Sequence, residues 1–153
     1  VQNRQRPLLA LTALALAALL AAPAIPAEGG VSVDVTVTGL RNTKGRIIAC
    51  MTSDESRFPR CRDAGGSYKA NAAAADNAVL HFTGVVPGTY AIALLHDENE
   101  NGRADRALTL IPREGFGFSR DAPVRMGPPR FEDAAFTVGA APITQTIRMR
   151  YML

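Results

Sequence analysis

Residues His96 to Asp105 read His-Asp-Glu-Asn-Glu-Asn-Gly-Arg-Ala-Asp. Oxygen-bearing side chains recur at every second position, Asp97, Asn99 and Asn101, and Gly102 and Asp105 follow. Such spacing wraps a short loop around a hard cation. Alternate side chains point inward, the glycine permits a sharp turn, and the next carbonyl can ligate. The pattern predicts a calcium site made by Asp97, Asn99, Asn101, the Arg103 carbonyl and Asp105. The twelfth loop position is Leu108, not the glutamate an EF-hand requires, and no helical stripe flanks the loop. The expectation is a calcium-type loop after a strand, with any bidentate carboxylate supplied by Glu114 or Asp121. The alternative is a metal-free cluster of Asx turns, in which Asp and Asn side chains bond their own backbone. Two neutral Asn ligands lower the affinity to be expected, and magnesium, which rarely uses all-protein cages, fits less well.

A second group of residues is Glu114-Gly-Phe-Gly-Phe-Ser119. Phe116 and Phe118 would form a stacking surface for a sugar or peptide, or tuck into the end of the fold while the glycines serve tight turns. His96 could act as a base beside Asp97, and a strand-end hydrogen bond is the simpler role. His81 falls on a polar strand face. No serine lies in a nucleophile elbow and no histidine pair has zincin spacing, so no catalytic residue is assigned. The enzymatic alternative is a carbohydrate-active hydrolase using Glu114 and a second loop carboxylate, which needs two carboxyl groups ~5–9.5 Å apart.

The elements that must position these residues read as β structure. Val31, Val33, Val35 and Val37 alternate with polar residues, the period-two pattern of a half-buried strand. Further strands are expected at 45–51, 78–83, 89–95 and 134–138. The last strand carries Ile143, Gln145, Ile147, Met149 and Tyr151 on one face. Another strand is expected near Tyr68 or near 108–111. Residues 70–75 are helix-prone but too short to stand alone, and 53–57 suit one helical turn. Pro87-Gly88-Thr89-Tyr90 is a turn feeding the central strand, and Tyr90 suits a sandwich-corner hydrogen bond. About seven short strands with Gly/Pro turns predict an all-β fold, an antiparallel β-sandwich, with a small barrel as the alternative. Between Asp97 and Asp133 lie ~37 residues with little strand signal, expected to be one long ordered loop folded along an end of the sandwich.

The first residues read as an address. Arg4 and Arg6 precede an apolar run from Leu8 to Ala22 and a small-residue pattern ending at Ala24 or Ala27. This predicts a signal peptide over 1–27, cleaved, and a single sandwich domain over 28–153. An uncleaved N-terminal anchor is the other reading. The run is short of the ~20 apolar residues a span needs, and no later run could cross a bilayer. The ~125 remaining residues suffice for one core. The formal charge of +3 includes Arg4 and Arg6, and the remaining basic residues are scattered, so nucleic acid is not an expected partner. Cys50 and Cys61 suit a disulfide in an oxidising compartment, with two free thiols as the alternative. The expected location is periplasmic or secreted.

Val-Pro-Gly-Thr-Tyr-Ala-Ile, His-Asp-Glu-Asn-Glu-Asn-Gly, Pro-Arg-Glu-Gly-Phe-Gly-Phe-Ser and Phe131-Glu-Asp-Ala occur in that order. Linked in this way they resemble a widespread bacterial family of secreted or periplasmic proteins classed as a domain of unknown function. The resemblance covers roughly residues 31–153. The Pro-Gly-Thr-Tyr turn also resembles those of transthyretin-like and collagen-adhesin B-type sandwiches, which implies that class of fold. The resemblance brings no activity, so no catalytic residue is carried over. The combined reading is an exported, non-catalytic module that binds calcium and presents Phe116 and Phe118 to a glycan or envelope protein. A metal-free structural or interaction domain is the second reading.

Overall fold

A computed structural model describes residues 29–61, 66–104, 106–107 and 111–153. The expected signal segment, residues 1–27, and the expected ligand Asp105 lie outside the described residues. Among the described residues the strands are β1 (Val31–Thr38), β2 (Arg46–Thr52), β3 (Ser67–Ala73), β4 (Val79–Val85), β5 (Gly88–Asp97), β6 (Arg106–Ala107), β7 (Ile111–Pro112), β8 (Gly115–Phe118), β9 (Phe136–Val138) and β10 (Ile143–Arg148). Eight of them make two sheets. One has the order β10-β1-β4; the other has the order β3-β2-β5-β8, with β9 paired to the start of β5. β6 and β7 pair only with each other. The fold is an all-β sandwich.

The alternation read in the sequence sets the core. Val33, Val35 and Val37 of β1 are fully buried with Leu80, Phe82 and Ile147 of their sheet. They face Ile47, Ala49, Met51, Ile92 and Leu94 of the other sheet, in one hydrophobic cluster. Each of these side chains larger than alanine stabilises the fold by about 1.5–3 kcal/mol through burial. Tyr90 sits at the sandwich end, and its hydroxyl donates to the Val86 carbonyl at 3.0 Å. Most pairings are antiparallel, but β1 and β10 run parallel, Val33 opposite Ile143. These strands lie at opposite ends of the domain sequence, so no hairpin dictates their direction.

The sheets approach each other at both edges. Tyr68 of β3 accepts from the Val86 amide at 3.2 Å, and β3 packs beside β4. At the other edge Phe116 and Arg150 exchange backbone bonds of 3.0 and 2.8 Å, joining β8 to the continuation of β10.

The strand expected near Tyr68 is β3, which pairs along β2 from Ser67 to Ala73 and takes in the earlier of the helix-prone alanines, because pairing outweighs a weak local preference. Two elements differ from the sequence expectation. Ala134 ends a one-turn helix, α1 (Phe131–Ala134), and the strand begins at Phe136. Within the expected long loop, Gly115–Phe118 form β8 along β5.

A second, smaller cluster covers the outer face of the larger sheet. It contains Ala91, Phe118, Ala122 and Ala134, with Phe58, Phe116 and Phe131 packed against it. Cys50 and Cys61 form a disulfide, with Cα atoms 6.1 Å apart, that ties the segment carrying Phe58 to β2.

Candidate functional site

Asp97 ends β5, and its side chain is 0% exposed. Its Oδ1 accepts from the Asn101 amide at 3.1 Å and its Oδ2 from the Gly102 amide at 2.8 Å. Asn99 Oδ1 accepts from the Asn101 amide at 3.1 Å, and Asn101 Oδ1 from the Arg103 amide at 2.8 Å. Positive φ at Glu100 (57°) and Gly102 (72°) gives the chain the curvature for this winding. The result is a compact set of nested Asx turns closed around one carboxylate. Asn99, Asn101 and Arg103 are exposed. Asp97 pairs with no Lys, Arg or His side chain among the described residues. Among those residues, no three His, Cys, Asp or Glu side chains gather as they would around a metal ion.

The two other acids expected near this loop have separate surroundings. Asp121 accepts from the Arg148 amide at 3.0 Å and lies 3.9 Å from Arg150, so it serves the edge of β10. Glu114 is 5% exposed and lines a cleft that also touches Asn99. Phe118 is 5% exposed, with its ring edge-on to Phe58 at 5.8 Å. It is therefore not part of an open stacking surface; Phe116, tilted against it at 6.1 Å, is half-buried.

Beside the acidic loop lies a network that sequence reasoning missed. Arg41, between β1 and β2, donates from Nε and Nη2 to the two oxygens of Glu98, at 2.6 and 2.9 Å. It also donates to the carbonyls of Arg113 (2.9 Å) and Leu153 (2.5 Å). Its guanidinium stacks 4.6 Å from the centre of the Tyr151 ring. The hydrogen bond from Arg41 holds the Glu98 carboxyl below its usual range, and Glu98 raises Arg41 in turn.

His96 is fully buried behind this pair. Its Nε2 lies 2.8 Å from the Lys44 carbonyl and its Nδ1 2.7 Å from the Tyr151 hydroxyl. A carbonyl only accepts, so Nε2 carries a proton, and in the neutral ring Nδ1 accepts from Tyr151. The imidazole thus joins two chain segments at the strand end, and both its nitrogens are used. Of this network, the strand-end hydrogen bonding of His96 and the alternation that placed Tyr151 on the inner face of the last strand were visible in sequence. Nothing near Arg41 marks it as the partner of Glu98.

Arg41, Lys44, Glu98, Asn99, Arg113, Glu114 and Leu153 line a cleft of about 500 Å³ at this end of the sandwich. It is a polar, mixed-charge recess and not an apolar pocket. No helix among the described residues is long and apolar enough to cross a membrane.

Among solved structures, two data sets for the pilus-presented adhesin Spy0125 (Cpa) align with 80–83% of this chain at 12–13% identity, with TM-scores of 0.33 and 0.35. A cysteine-to-alanine variant of that adhesin aligns at 10% identity and a TM-score of 0.35. The chain spans 27% of the length of each of these proteins. No curated protein matches it. The family described as "Uncharacterized protein conserved in bacteria (DUF2141)" matches residues 35–146, most of the chain and every major strand of the sandwich, and the protein belongs to that family.

Proposed function

We propose that the protein is an exported, non-catalytic binding module whose loop from Asp97 holds a calcium ion. The observation that carries the calcium reading is the buried Asp97 carboxylate. It is 0% exposed and has two backbone amides as partners but, among the described residues, no cationic side chain. Buried carboxylates are ordinarily paired with a cation or bound to a metal. Two amides occupy two of its roughly four acceptor positions. Calcium would take the remaining ones, together with the oxygens of Asn99 and Asn101, the Arg103 carbonyl and Asp105. The disulfide supports an oxidising, exported setting. A glycan or an envelope protein is the partner class for such a module.

The second reading is a metal-free turn, favoured by the fact that both Asp97 oxygens already accept backbone amides. Thermal unfolding in millimolar calcium and in excess chelator separates the two. At free calcium ten times the dissociation constant the calcium reading predicts about 1.4 kcal/mol of stabilisation, a rise of several degrees in Tm. Asp97→Ala should abolish the shift, and Asn99→Ala, at an exposed position, should reduce it with the fold intact. A wild-type Tm indifferent to calcium would leave the hydrogen-bonded turn as the account of this loop.

A further inference from the structure

We infer that the cleft beside the acidic loop binds an acidic sugar, a saccharide bearing a carboxylate. The inference deepens the binding-module reading and rests on it, but it does not require the calcium ion. Five charged side chains line the cleft. Arg41 and Glu98 neutralise each other through a two-pronged ion pair. The backbones of Lys44 and Arg113 are both anchored: the Lys44 carbonyl accepts from His96 and the Arg113 carbonyl from Arg41. Their side chains enter no ion pair among the described residues. Two cations are thus anchored by their backbones on two segments that line one recess. Among the described lining side chains, the acids are Glu98, paired with Arg41, and the nearly buried Glu114.

The remaining chemistry suits a sugar. The volume of about 500 Å³ is that of a small-ligand site. The polar lining, with Asn99 at the surface, is of the kind that hydrogen-bonds hydroxyl groups. The Arg113 fork fits a planar carboxylate with two parallel bonds, and Lys44 adds a point charge. Among the described lining residues Leu153 alone is apolar in type, which disfavours a lipid or an apolar peptide.

The test uses the whole protein with a galacturonate trimer, its fully methyl-esterified counterpart and sodium sulfate, read by NMR amide shifts and calorimetry. The expected result is that the acid trimer shifts the amides of Lys44, Asn99 and Arg113. Binding should weaken at least tenfold in Lys44→Ala/Arg113→Ala, whose melting curve stays that of the wild type, and the methyl ester should not bind. Equal binding of the ester, shifts confined to another surface, or sulfate binding without the trimer would each overturn the acidic-sugar assignment. So would the absence of any binding at millimolar trimer. The binding-module reading fails separately: it is lost if neither calcium nor any glycan or envelope fraction binds anywhere on the protein.

Discussion

Arg41 carries the sandwich end with one side chain. It binds Glu98 twice, holds the Arg113 and Leu153 carbonyls, and covers the Tyr151 ring. Charge-assisted bonds of this kind are individually stronger than neutral ones, but the pair is partly exposed, so solvent screens much of the Coulomb energy. Arg41→Ala should cost about 1–3 kcal/mol, mostly through the lost carbonyl and stacking contacts. Glu98 gives this network a pH dependence. Its folded carboxyl titrates below its usual range, so its contribution is fully present above the ordinary value of about 4.3 and is lost as pH falls through the lowered one. Denaturant unfolding of wild type and Glu98→Gln between pH 7 and 3 checks this. The gap between them should be constant at neutral pH and close on acidification. A gap unchanged down to pH 3 would show that Glu98 draws no ionic stabilisation from Arg41.

β8 was hidden in plain view at the scale of elements. Gly115, Phe116, Gly117 and Phe118 alternate with period two, but glycine occupies the inward positions, so the usual apolar signature of a buried face is missing. The reason lies in long-range packing. The continuation of β10 passes so close that a Cβ on Gly115 would lie 2.3 Å from the Tyr151 ring, and one on Gly117 would lie 2.9 Å from Ile147. No local pattern reveals that a strand thirty residues on will need that space. The converse holds for β1 and β10, whose alternating Val and Ile were legible because their partners are apolar side chains and not backbone. The acidic loop was legible for a similar reason: its Asx turns close within six residues. Gly115→Ala should push the Tyr151 ring aside, break its bond to His96, and destabilise the protein by about 1–3 kcal/mol. Chemical denaturation together with the His96 ring signals in NMR measures both effects. An alanine variant with wild-type stability and an unmoved His96 signal would mean that the close approach of β8 and β10 is not a constraint.

At the scale of the whole molecule, the fold is two sheets around one apolar cluster, with long-range pairings binding the N-terminal strand to the C-terminal one. The outer layer is different. Phe58, Phe118 and Phe131 meet edge-on, at 5.8 and 6.0 Å, in a small cluster whose members come from three separated segments. Cys61, 4% exposed, fastens the segment carrying Phe58 to Cys50 on β2. The disulfide therefore acts in two places. In the unfolded chain it closes a loop with a separation of 11 residues, for which loop entropy gives roughly 3 kcal/mol. In the folded protein it keeps Phe58 over Phe118, which shields the outer face of β5. Cys50→Ala/Cys61→Ala should accordingly lower Tm by about 10 °C. The loss should be local before it is global. Amide exchange should quicken first at 53–61 and 118–134, while β1, β2 and β4 stay protected until the main transition. Uniform acceleration across both sheets would mean that the outer layer and the core form one cooperative unit, and that the disulfide acts only through the unfolded chain.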